Sequence, residues 1–104
     1  MNRVLSPEEI QDALGALPGW RVENGWLVRE VRTRHWRDTV FVVNGLAALA
    51  EAHHHHPDLG LSYRKVEIRL HTHDVGGLTG KDLQLARVFQ DWLENVHDLE
   101  QQEV

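Results

Sequence analysis

Eight histidines stand at positions 35, 53, 54, 55, 56, 71, 73 and 97, and six of them fall between His53 and His73. Imidazole is the side chain whose ordinary pKa lies nearest neutrality. Such a cluster suits either proton transfer at physiological pH or ligation of a transition metal. His53, His54, His55 and His56 run directly into Pro57, and His71-Thr72-His73 sets two more imidazoles two residues apart. Glu51 precedes His55 by four residues, a spacing that brings two side chains onto one helix face, so a Glu51–His55 hydrogen bond is expected. In one chemistry, the His-x-His pair and the histidine run supply three nitrogen ligands to a metal, with Glu51 or Asp74 adding an oxygen. In the other, the imidazoles give and take protons without an ion. Spacing leaves both open, and either needs His55, His56 and His73 to converge.

The elements that would bring them together can be read from periodicity and caps. Ser6, Pro7 and Glu9 form a helix-start signal, and Ile10, Ala13, Leu14 and Leu17 carry one apolar face up to Pro18-Gly19. Two β-prone runs, Trp20–Glu23 and Trp26–Val31, flank Asn24-Gly25, a dipeptide that tolerates the positive φ of a tight hairpin turn. The second run alternates without a clean polar face, so its core side stays unassigned. A second helix is expected from about Asp38, as its cap, to His54, with Val42, Leu46, Leu49, Ala50 and His53 on the buried stripe and Pro57 forcing the exit. Asp58 to Ser62 reads as a turn around Gly60, with a short extra strand near Leu61. A strand from Tyr63 to about His71 buries Val66, Ile68 and Leu70. Thr79 with Asp82 caps a third helix whose stripe is Ala86, Phe89, Leu93 and Val96, and the tail Glu100 to Val104 is expected to fray. His35 and His97 read as surface residues, His54 as exposed, His71 as an open strand position, Tyr63 as core or sheet surface, and the four tryptophans as packing residues. This order makes an α+β two-layer sandwich: three helices on one face of a largely antiparallel sheet.

Composition narrows the setting. The chain has 104 residues, 12.0 kDa, and is expected to form a single domain over 1–104. It has no cysteine, which excludes disulfides, zinc–thiolate sites and thiol catalysis. Eleven basic against sixteen acidic residues give a formal charge of −5, which argues against binding a phosphate backbone. The longest apolar stretch, Val40 to Ala50, is interrupted by Asn44 and Gly45 and falls short of the roughly 20 residues of a membrane span. With an N-terminus that lacks an apolar signal core, the expectation is a cytoplasmic protein away from the membrane.

Fixed positions then carry a resemblance. Glu51, His55-His56-Pro57, Tyr63, His73 and Asp82 recur at the spacing seen in the pterin-4a-carbinolamine dehydratases. Ala-Glu-x-x-x-His-His-Pro-Asp, Tyr-x-Lys-Val-x-Ile-x-Leu-x-Thr-His-Asp and Gly-Gly-Leu-Thr-x-x-Asp are similar to that family's segments. The close match covers Ala50 to Ala86. The resemblance implies a four-stranded antiparallel sheet in the order α-β-β-α-β-β-α, which favours the extra strand. It implies removal of water from a 4a-hydroxytetrahydropterin to give quinonoid dihydropterin, recycling the cofactor of aromatic amino acid hydroxylases, with no metal and no organic cofactor. It implies His55, His56 and His73 as the active-site histidines. His55 and His73 would be the acid–base pair and His56 chiefly a substrate-binding group. Glu51 would orient His55 or contact the pterin, Asp82 would orient His73, and Asp74 is a further binding or orienting group. Leu59 stands where the family often has tryptophan. A homodimer or homotetramer is expected, with a transcription-factor dimerisation role and the metal site as alternatives.

Overall fold

The computed structural model describes residues 3–96. His97 and the tail Glu100–Val104 lie outside the described residues. In chain order the elements are α1 (Pro7–Leu14), β1 (Trp20–Glu23), β2 (Trp26–Arg32), α2 (Trp36–Ala52), β3 (Asp58–Ser62), β4 (Lys65–Leu70) and α3 (Gly80–Asn95). The four strands form one antiparallel sheet in the order β1-β2-β4-β3.

The register decides which residues face the helices. Leu27 pairs with Leu70, Arg29 with Ile68 and Val31 with Val66, so these six share the inner face. Leu27, Val31, Val66, Ile68 and Leu70 are fully buried against Val42, Leu46 and Ala50 of α2 and Leu83, Ala86, Phe89 and Leu93 of α3. Each side chain of this size contributes about 1.5–3 kcal/mol when taken from water. The ambiguous second strand is thus explained. Arg29 belongs to the core side because Gln90 Oε1 accepts from its Nε at 2.9 Å and from Trp20 Nε1 at 3.1 Å. The opposite face is charged, with Arg69 donating to Glu23 and lying over the Trp26 ring. Asn24 and Gly25 both take positive φ, as the hairpin turn requires.

Several expected boundaries shift. α1 ends at Leu14, and Ala16 and Leu17 continue it only as single turns. α2 begins at Trp36 with His35 at its N-cap, and Asp38 lies inside the first turn, where a carboxylate favours the helix dipole. Asp58–Ser62 is a full edge strand, with Leu59 against the core and Leu61 exposed. β4 starts at Lys65, so Tyr63 sits in the connecting turn and is exposed. Trp20 packs as expected, whereas Trp36 is exposed. Trp92 stacks on Phe41 and crosses α2 at Gly45, where a Cβ would clash with the indole. No helix among the described residues is long and apolar enough to cross a membrane.

Candidate active site

α2 ends in a left-handed turn that redirects the histidines after it. His53 is the C-cap, and His54 takes a left-handed φ of 54°. The His54 N–H donates to Glu51 O and the His55 N–H to Ala50 O, both at 3.2 Å. This is the reversed hydrogen-bond pattern that closes a helix, usually with glycine at the left-handed position. Helix therefore stops before His53. That side chain, expected on the buried stripe, is exposed.

The reversal also exchanges the expected carboxylate partners. His55 Nε2 lies 2.6 Å from Asp82 Oδ1, and His56 Nε2 lies 2.8 Å from Glu51 Oε1. The Glu51–His55 pair does not form, because a residue at left-handed φ breaks the helical spacing on which it rested, and Asp82 is bonded to His55 rather than to His73. The Glu51 carboxyl is held below its usual range by the hydrogen bond from His56, with the charges of His56 and His54 adding.

Asp82 is fully buried, and its bonding explains how. Its Oδ2 accepts from Thr72 Oγ1 at 2.7 Å and from the Thr79 N–H at 2.9 Å, the latter as the capping box of α3. Thr72 has one hydroxyl proton and gives it to Asp82. Thr79 Oγ1, 2.9 Å away, therefore donates to Thr72 while accepting from the Lys81 N–H. With Asp82 ionised, every donor in this chain points toward the carboxylate. Against that carboxylate His55 Nε2 is the donor, which leaves Nδ1 without a proton in the neutral ring. A buried carboxylate that sets a histidine's tautomer also stabilises the imidazolium when it forms.

The strand exit supplies the other side. Thr72 and Gly77 form an isolated antiparallel bridge, and His73 opens the turn between them, which is closed by Gly76 N–H bonds to Thr72 O and His73 O. His54, His55, His56, His71, Thr72, His73, Asp74 and Lys81 line one cavity of about 210 Å³. That volume suits one small heterocycle rather than an extended ligand. The expected residues His55, His56, His73 and Asp74 are brought together there. Glu51 stands behind His56 and Asp82 behind His55.

Sequence reasoning missed His54, His71, Thr72 and Lys81 as lining groups, and it assigned Trp26 to packing. Trp26 stacks on His71 with ring centroids 4.5 Å apart, and His73 meets both rings edge-on at 5.6 and 5.3 Å. Extending the β2–β4 register one step past Leu27–Leu70 sets Trp26 opposite His71, which strand pairing could have signalled. Among the described residues, no group of three or more His, Asp or Glu is arranged to hold a metal ion. The Nε2 atoms of His55 and His56 face carboxylates instead.

The family model for pterin 4 alpha carbinolamine dehydratase matches residues 3–92. A protein of Aquifex aeolicus (strain VF5) named "Putative pterin-4-alpha-carbinolamine dehydratase" is 42% identical over 92% of this chain and 97% of its own length. One of the same name from Metallosphaera sedula is 40% identical over 89% of this chain and 97% of its own. The crystal structure of a transcriptional coactivator/pterin dehydratase from Brucella melitensis superposes with a TM-score of 0.81 at 27% identity, covering 86% of this chain and 97% of that one. A pterin dehydratase-like RuBisCO assembly factor of the alpha-carboxysome shares the fold at a TM-score of 0.56 and 19% identity, over 69% of this chain and 83% of its own.

Proposed function

The chain belongs to the pterin 4 alpha carbinolamine dehydratase family, and from that membership we propose that it removes water from a 4a-hydroxytetrahydropterin by histidine acid–base chemistry. The substrate carbon carries a hydroxyl and is bonded to a ring N–H. One proton is delivered to the hydroxyl, which leaves as water. The nitrogen lone pair forms the C=N bond of quinonoid dihydropterin, and the N–H proton is taken up by a base. One proton goes in and one comes out, so the enzyme ends in its starting charge state.

His55 and His73 are the proposed donor and acceptor. What supports His55 is the 2.6 Å contact between its Nε2 and the buried Asp82 carboxylate, which leaves Nδ1 for proton exchange. This is the observation that carries the proposal. His73, on the facing turn of the same cavity, serves the second proton position. His56, tied to exposed Glu51, is assigned to substrate binding, and Asp74 to the cavity rim. General acid–base assistance of this kind is worth about 10²–10⁴-fold, or about 3–5 kcal/mol. No resident metal or organic cofactor is needed for these steps, so a chelator should leave the rate unchanged. The test is to follow quinonoid dihydropterin formation from freshly generated 4a-hydroxytetrahydropterin with and without the protein. An unchanged rate would contradict the proposal.

The proposed setting is the cytoplasm, where the product returns to the cofactor cycle of an aromatic amino acid hydroxylase. We also infer self-association as a dimer or tetramer, supported by the outer edge of β3 and exposed Leu61, and testable by light scattering. The name of the Brucella melitensis protein couples dehydration with transcriptional coactivation. A second reading gives this chain a similar partner. Capture of a stoichiometric transcription factor from its host would support it.

A further inference from the structure

The cavity contains an imidazole that the proposed reaction does not use. His71 follows the last residue of β4, and its ring lies flat on Trp26 at 4.5 Å with 23° between planes. Its Nδ1 is 3.3 Å from Gly25 O in the β1–β2 turn. A carbonyl oxygen only accepts, so Nδ1 is the protonated nitrogen and neutral His71 presents Nε2 as an acceptor. That atom makes no hydrogen bond among the described residues, and the ring lines the same cavity as His55, His56 and His73. The tryptophan plane and the turn carbonyl fix both the tilt and the tautomer of the ring.

We propose that His71, braced by Trp26, is a substrate-positioning residue whose Nε2 accepts a hydrogen bond from an N–H of the aminopyrimidine half of a reduced pterin. The inference rests on the dehydratase reading and deepens it. His55 and His73 handle the reacting hydroxyl and nitrogen, and His71 holds the non-reacting end of the bicycle. A reduced pterin carries N–H donors on that half, and an acceptor of fixed orientation distinguishes them from carbonyl or methyl groups. The Trp26–His71 pair also supplies an aromatic surface at the cavity, which Leu59 cannot provide.

The test uses 7,8-dihydropterin as a non-reacting probe, titrated by quenching of tryptophan fluorescence, beside kcat and KM for dehydration. In His71→Ala, the probe Kd and the substrate KM should each rise about tenfold, the loss expected for one neutral hydrogen bond, with kcat within about twofold of wild type. His71→Gln, which can return an acceptor near the Nε2 position, should recover most of the affinity. Wild-type Kd and KM in His71→Ala, a fall in kcat at constant KM, or a glutamine variant no better than alanine would overturn the proposal. A wild-type protein that binds the probe without turnover would contradict the dehydratase reading alone, and His71 would still be judged by Kd. Failure of the wild-type protein to bind the probe would overturn both.

Discussion

Asp82 and His55, 27 residues apart in sequence, meet at 2.6 Å with the carboxylate fully buried and the imidazole nearly so. The same carboxylate caps α3 and accepts from Thr72, so one side chain joins the start of a helix, the end of a strand and the exit of another helix. Its two oxygens take three hydrogen bonds. A change here therefore touches both stability and the tautomer of His55.

Asp82→Asn tests that double role. An amide places N–H donors where three groups already donate, so at least one donor is left unpaired or His55 must change tautomer. Loss of a buried, charge-assisted partner costs about 1–3 kcal/mol. Denaturant unfolding should show a loss of that size, and kcat should fall by one to two orders of magnitude. Thr72→Val removes one of the three donors and should cost about 1 kcal/mol with a smaller effect on rate.

Glu51 contributes differently because both it and His56 are exposed. Exposed ion pairs are worth about 0–1 kcal/mol. Glu51→Ala should therefore raise KM by roughly two- to fivefold and leave kcat nearly unchanged. A large fall in kcat would show that His56 takes part in proton transfer.

His54 occupies a left-handed position normally given to glycine. A β-carbon there costs roughly 1–2 kcal/mol, while glycine adds about 0.5–1 kcal/mol of unfolded-chain entropy. His54→Gly should therefore raise stability by up to about 1 kcal/mol in denaturant melts. His54→Val, branched at Cβ, should lower it. The glycine variant should keep most of its dehydratase rate, since the turn that aims His55 and His56 is preserved.

Acid stability should carry the signature of Glu9. Its hydrogen bond with Arg3, reinforced by the Ser6 N–H, lowers its carboxyl from 4.5 to about 2. A carboxylate depressed in the folded state stabilises above its ordinary pKa, and that contribution fades as pH falls through the depressed value. The thermal midpoint of wild type should exceed that of Glu9→Gln at neutral pH. The difference should shrink between pH 4.5 and 2 and vanish below. A difference that grew in acid would reverse the sign of the argument.

Much of the fold was legible because local signals agreed. The capping boxes at Ser6–Glu9 and Thr79–Asp82, the Asn24-Gly25 turn and the alternation of Val66, Ile68 and Leu70 each act within a few residues. The gathering of His55, His56 and His73 followed from a helix exit and a strand exit at one edge of the sheet. Partner assignment did not follow, because it depends on a single backbone dihedral at His54. Without glycine at that position, the sequence carries no mark of the reversal that sends Glu51 to His56 and frees His55 for Asp82. The Trp26–His71 stack was hidden for another reason. The two rings are close only through strand register, and the pattern of β2 left its two faces undecided until Arg29 was seen bonded to Gln90 inside the core.

The proposal that His55 and His73 move the two protons of dehydration is measured most directly by the rate of quinonoid dihydropterin formation by His55→Ala, His73→Ala and the double variant. Each single variant should lose one to several orders of magnitude in kcat, and the double variant should fall near the uncatalysed rate, with thermal unfolding still cooperative in all three. A folded double variant that keeps the wild-type rate would contradict the account.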